Sequence, residues 1–204
     1  MRYHPDRVTA LYQYDPFLWL QAFLWRDAFW WDALWMAATL LCTGWGMTAL
    51  ALLFVYRRTR QWRGLLHRTV PAFASLLLAG IVAQTIKALV VAPRPLNLLG
   101  PDEVHVLLER LKHNSFPSGH SASVAALATW AALRYGWRAW PLVLLALMGG
   151  LSRVYVGAHW TFDVLAGWTI GAAAAVVVWR LERALERRRA GARAPAAPAE
   201  SPAG

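Results

Sequence analysis

Two histidines, a carboxylate and three cations stand in three short polar runs of an otherwise apolar chain. In the last of these, residues 152–163 (SRVYVGAHWTFD), His159 and Asp163 are four positions apart. On a helix that spacing puts them on one face, where the carboxylate can accept from one imidazole nitrogen and leave the other for a substrate. This is the orienting half of a nucleophilic site. Arg153, six residues before His159, can reach the same pocket across a turn. A single histidine in an apolar segment is usually a core residue with its hydrogen bonds satisfied, but His, Asp and Arg together at membrane depth point to function.

The middle run, residues 115–121 (SFPSGHS), opens an apolar stretch. Ser118 reads as a helix cap, Gly119 as a place where a ligand can approach the backbone, and the free N–H groups of the first turn favour an anion. An ordinary Ser/Pro helix start shares these features; His120, just inside it, is the addition that suggests chemistry. The first run, residues 87–95 (KALVVAPRP), holds two cations near the end of an apolar stretch, where an unpaired charge costs several kcal/mol. Lys87 alone fits a snorkelling cation, and Arg94 alone an interface marker. Pro93 and Pro95 end the helix and stiffen the turn that holds the guanidinium.

Converged on one face, these groups describe a pocket for a doubly charged anion. Phosphoryl transfer suits such a pocket, because its catalysis is mostly positioning and stabilisation of charge on the equatorial oxygens. Lys87, Arg94 and Arg153 would clamp those oxygens, Arg through a bidentate fork and Lys as a point charge. The sequence holds no carboxylate-rich metal cage, so the expectation is a site with neither metal nor cofactor, in which the cations do magnesium's work.

The elements that must bring the runs together are apolar. The chain has 204 residues, is 58% hydrophobic and has a mean hydropathy of +0.34, which favours one membrane-embedded domain. Residues 29–56, 70–91, 119–135, 140–156 and 160–179 are apolar enough to cross a bilayer, the third and fourth being short for it. Residues 17–25 (FLWLQAFLW) are too few to span and lead into Arg26 and Asp27, as in a helix lying in the interface. Five Trp from Trp19 to Trp35 form an aromatic belt there. Residues 1–14 are polar, without the pattern of a signal peptide. Cys42 is the one cysteine, so no intrachain disulfide can form, and it reads as a small core residue. The expected fold is all-α: an integral-membrane bundle of about five to six helices with an N-terminal interfacial helix. One membrane domain covers residues 1–186, and 187–204, rich in Ala, Pro and Arg, form a disordered cytoplasmic tail.

Charge orients the bundle. The net charge is +10, and 13 of the 21 basic residues lie in three segments: Arg57, Arg58, Arg60, Arg63 and Arg68; Arg134 and Arg138; and Arg180, Arg183, Arg187, Arg188, Arg189 and Arg193. All three fall on one side of a five-span arrangement, which the positive-inside rule makes cytoplasmic. A solvated helix face or an RNA-binding patch would also be basic, but would not alternate with apolar spans. Nucleic acid is therefore not an expected partner. The three polar runs share the opposite side, where the loop bearing Asp102, Glu103, His105, Glu109, Arg110, Lys112 and His113 would roof the pocket.

These residues resemble the type 2 phosphatidic acid phosphatase superfamily, whose pattern is K-x6-RP, then PSGH, then SR-x5-H-x3-D. Lys87 with Arg94 and Pro95, then Pro117 to His120, then Ser152 and Arg153 with His159 and Asp163 match it in order and without substitution. The resemblance implies a helical membrane bundle and a metal-independent two-step reaction. His159 would attack phosphorus to form a phosphohistidine, His120 would protonate the leaving oxygen and then activate water, and Asp163 would orient His159. Ser118 and Gly119 would join Lys87, Arg94 and Arg153 in holding phosphate. The superfamily also includes soluble vanadium haloperoxidases, against which five apolar spans argue here.

A buried site facing away from the cytoplasm expects a lipid phosphate with its head group exposed outside. Within the superfamily the layout is most similar to bacterial undecaprenyl diphosphate phosphatases of the cytoplasmic membrane, which serve cell-wall synthesis. Phosphatidylglycerophosphate, phosphatidate and lipid A phosphate are alternative substrates; a lipid phosphotransferase and a non-catalytic lipid-phosphate binder are alternative activities. Reporter fusions test the orientation. Fusion after Arg68 should give a cytoplasmic signal and fusion after Glu109 an extracytoplasmic one; a cytoplasmic signal from Glu109 would reverse the placement of the site.

Overall fold

The computed structural model describes residues 12, 14–107 and 114–192, and nearly all of its regular structure is helical. In chain order the helices are α1 Phe17–Leu24, α2 Phe29–Leu41, α3 Gly44–Thr59, α4 Leu65–Leu89, α5 Pro95–Leu99, α6 Gly119–Tyr135, α7 Trp140–Tyr155 and α8 Thr161–Ala192. A 3-10 turn, Gly136–Ala139, joins α6 to α7. The all-α expectation holds, and α1 occupies the stretch read as interfacial. It buries Phe17 and Gln21 against the bundle while Trp19 and Phe23 stand exposed.

The first expected span differs. Residues 29–56 do not form one helix; α2 and α3 meet at 80° around Cys42 and Thr43. The break has a local cause. Thr43 caps α3 by accepting from Gly46 N, and a Cβ at Gly46 would stand 2.3 Å from the carbonyl oxygen of Leu41. Only glycine lets the second helix start this close to the first. The hydrophobic pattern runs through the corner unchanged, because both arms are apolar.

By length and composition α4 and α8 can each cross a membrane, and the bent α2–α3 pair would make a third crossing. α6 and α7 have 17 and 16 residues, or about 25 Å each at 1.5 Å per residue, and are short as the sequence suggested. α8 runs to Ala192, past position 187 where the tail was expected to begin; residues 193–204 lie outside the described residues.

The packing that matters for the site is α6 against α8. Gly167 and Gly171, one turn apart on α8, face α6 so closely that a Cβ would lie 2.5 Å from Ser118 O and 2.1 Å from Ala122 O. Small residues at this spacing let two helix backbones touch without large side chains between them. The contact continues upward, where Ser118 N donates to Asp163 O at 3.1 Å, so the starts of α6 and α8 are pinned together. Cys42 is buried against Gly149 of α7, as a core residue. Around this interior the bundle presents Leu66, Leu77, Ile81, Leu144, Leu147 and Leu165 outward, a surface suited to lipid.

The three arginine segments also come together. Arg58 donates to Arg138 O at 2.8 Å, and Arg134 pairs with Glu182 at 2.9 Å. They mark the end of the bundle away from the starts of α6 and α8, since Arg134 lies fourteen residues down α6 from His120.

Candidate active site

The ends of five helices supply the three polar runs. Lys87 is in the last turn of α4, Arg94 caps α5, Ser118 caps α6, His120 follows in its first turn, Arg153 is in the last turn of α7, and His159 and Asp163 flank the start of α8. Ser118 acts as the expected cap, its Oγ accepting from Ser121 N at 3.4 Å. A Cβ at Gly119 would meet nothing within 4 Å, so that stretch of backbone is open to a ligand. Beside Gly119 and His120 lies a cavity of about 340 Å³, walled also by Thr43, Gly80, Gln84 and Ser123.

His159 is not on the helix that its spacing to Asp163 suggested. It sits in the turn between α7 and α8, with its N–H donating to Arg153 O at 3.1 Å, and Asp163 is in the first turn of α8. The two still meet, Nδ1 lying 3.3 Å from Oδ2. The turn depends on Gly157, whose φ is +71° and whose Cβ would stand 2.6 Å from His105 O. Side chains other than hydrogen are excluded there on both counts. The 104–106 backbone thus braces the His159 turn from behind. The charged loop residues Glu109, Arg110, Lys112 and His113, expected to roof the pocket, lie outside the described residues.

Asp163 is wholly buried and its carboxylate is surrounded by donors. Oδ2 takes Trp160 N at 3.0 Å, the Ser115 hydroxyl and His159 Nδ1; Oδ1 takes the Tyr12 hydroxyl at 3.1 Å. An acceptor so placed requires Nδ1 to carry the proton, which leaves the lone pair of His159 on Nε2. Burial pushes the His159 imidazole well below its ordinary value, and the charges of Arg153, Arg94, Lys87 and His120 push the same way. Its neutral form, the one with a lone pair to give, is favoured through the physiological range.

The cations surround this histidine. Arg94 and Arg153 are buried and Lys87 is half-buried. Arg94 donates to Ala158 O and to Asn114 O, holding the His159 turn and the approach to α6 at once. Arg153 Nε is buried with no hydrogen-bond partner among the described residues, a donor suited to an anion. Asn114 donates to Lys87 O at 3.0 Å and Ser115 N to Ala92 O at 2.9 Å, so the strand of chain before α6 is strapped along the run from Lys87 to Arg94. The eight residues read from the sequence as catalytic or phosphate-binding therefore lie in one region. Sequence reasoning assigned no role to Ser115 or Tyr12. Ser115 was visible only as the first letter of a motif, and Tyr12 stands in a polar segment with no motif.

The PAP2 superfamily pattern matches residues 68–187, which hold all eight of these sequence-predicted residues. The chain belongs to the PAP2 superfamily. Among PAP2 relatives, an undecaprenyl-diphosphatase of Sulfolobus acidocaldarius is 32% identical over 122 residues, 59% of this chain and 55% of that protein. A decaprenylphosphoryl-5-phosphoribose phosphatase of Mycobacterium tuberculosis is 32% identical over 138 residues, 67% of this chain and 71% of that one. The chain spans about half the length of the first of these. The crystal structure of Aquifex aeolicus LpxE has the same fold, with a TM-score of 0.65 at 24% identity, covering 80% of this chain and 92% of that one. With its apolar helices and its PAP2 membership, the chain is a multi-pass membrane protein.

The orphan Nε of Arg153 makes a direct test of the anion pocket. Arg153→Lys keeps the charge and removes the planar fork, and should weaken inorganic phosphate about tenfold, ~1.4 kcal/mol, in isothermal titration of the detergent-solubilised protein. Unchanged affinity would place Arg153 outside the pocket.

Proposed function

We propose that this PAP2 protein is a metal-independent lipid phosphate or diphosphate phosphohydrolase that works through a phosphohistidine on His159. The observation that carries the reading is a buried imidazole whose Nδ1 lies against Asp163 and whose surroundings are cationic. In the first step Nε2 gives its lone pair to phosphorus, and the bond from phosphorus to the leaving oxygen breaks. His120 supplies the proton that oxygen needs. In the second step neutral His120 takes a proton from water, the water oxygen attacks phosphorus, and the P–N bond breaks to release phosphate and restore His159. Asp163 holds the imidazole and balances the positive charge that the phosphohistidine carries. Lys87, Arg94 and Arg153, with Ser118, the Gly119 backbone and the start of α6, stabilise the equatorial oxygens.

The proposed substrate is undecaprenyl diphosphate, converted to undecaprenyl phosphate. The similar Sulfolobus and Mycobacterium proteins are both named for polyprenyl phosphates, which supports a long isoprenoid lipid. We place the site at the extracytoplasmic face of a bacterial cytoplasmic membrane with the C-terminus inside, because three arginine segments share the opposite end of the bundle. We assign the phosphatase domain to residues 1–186, with the last turns of α8 running on to Ala192.

Phosphate release in detergent with EDTA tests the proposal across undecaprenyl diphosphate, phosphatidylglycerophosphate, phosphatidate and lipid A. Undecaprenyl diphosphate should turn over fastest, and His159→Ala should lose at least about a thousandfold in kcat. Equal rates for wild type and His159→Ala, or activity abolished by EDTA, would sink the mechanism; a faster diacyl substrate would sink the lipid assignment.

A further inference from the structure

The segment before α1 lies outside residues 68–187, the part that matches the superfamily, yet it enters the site at three points. Tyr12 Oη donates to Asp163 Oδ1 at 3.1 Å. Asp15 accepts from Thr161 N through Oδ1 at 3.1 Å and from Phe162 N through Oδ2 at 2.8 Å. The Tyr12 ring stacks on Trp160 with centroids 4.7 Å apart, and Phe17 meets Trp160 edge-on at 5.4 Å. Trp160 Nε1 in turn donates to Pro93 O at 2.8 Å, beside Arg94.

Each contact has a consequence for the His159–Asp163 pair. The first N–H groups of a helix have no carbonyl partner within it, and a carboxylate there also meets the positive end of the helix dipole. Asp15 supplies that carboxylate from a distant segment, so the first turn of α8, which carries Asp163, is fixed. The Tyr12 hydroxyl acts one step further in. The donors from His159, Trp160 and Ser115 all converge on Oδ2, and rotation of the carboxylate about Cβ–Cγ would carry that oxygen away from Nδ1. A donor on Oδ1 opposes the rotation. If packing were the whole role of Tyr12, the ring on Trp160 would suffice without the hydroxyl.

We propose that Tyr12 and Asp15 are positioning residues for His159: Tyr12 fixes the rotation of the Asp163 carboxylate, and Asp15 fixes the helix turn that bears it. This rests on the nucleophilic role of His159 proposed above. The N-terminal strap thus completes a site whose recognised motifs lie wholly between Lys87 and Asp163.

Two anions separate positioning of the nucleophile from general binding. Orthovanadate accepts a fifth ligand, as phosphorus does at the transition state, and so reports the bond from His159 Nε2. Inorganic phosphate binds as a tetrahedral anion and reports the cations. In titrations of the full-length protein in detergent, Tyr12→Phe keeps the ring on Trp160 and should weaken orthovanadate about tenfold while phosphate stays within twofold. Asp15→Asn, which lacks the charge and one acceptor oxygen, should show the same split, and it decides the matter if Tyr12→Phe does not fold. Equal losses for both anions, or no loss for either, would overturn the strap's positioning role. A wild-type protein that binds phosphate and gains nothing from vanadate would instead count against His159 as nucleophile.

Discussion

The structure is organised around one buried carboxylate. Asp163 has no exposure to solvent, and a charge in such a place is tolerable only when donors take up its lone pairs. Those donors come from segments far apart in the chain: Tyr12 from before α1, Ser115 from the approach to α6, and Trp160 and His159 from the turn before α8. Satisfying Asp163 therefore fixes where these three stretches of chain lie relative to α8. The same geometry favours the proton on Nδ1 of His159, so the demand of a buried charge and that of the proposed nucleophile are met by one arrangement.

The cations pose the complementary problem. Lys87, Arg94 and Arg153 are gathered with few carboxylates near them, and like charges at close range repel. The bundle tolerates this because α6 and α8 touch backbone to backbone through Gly167 and Gly171, and because Arg94 ties the His159 turn to Asn114. A dianionic phosphate, the ligand proposed for this site, would relieve the repulsion.

Much of this was legible in the residues. The spacing of Lys87, Arg94, His120, Arg153, His159 and Asp163 carries the family and the chemistry proposed for it, and the apolar stretches carry the all-α bundle. The α2–α3 corner was not legible, because hydropathy averages over a turn made by Thr43 and Gly46 within an unbroken apolar run. The position of His159 in a turn was hidden for a related reason: spacing to Asp163 reads the same on a helix and on a turn that ends in one. Tyr12 and Asp15 act across about 150 positions of sequence, and no local pattern announces such a contact.

The central claim is that a bond forms between phosphorus and His159. Rapid quenching of the enzyme with phosphorus-labelled lipid substrate, followed by digestion and mass spectrometry, reads that bond directly. The account predicts an acid-labile, base-stable label on the peptide containing His159, formed and lost at rates no slower than turnover. Phosphate released in full turnover with no labelled protein at any time, or a label on His120, would contradict it.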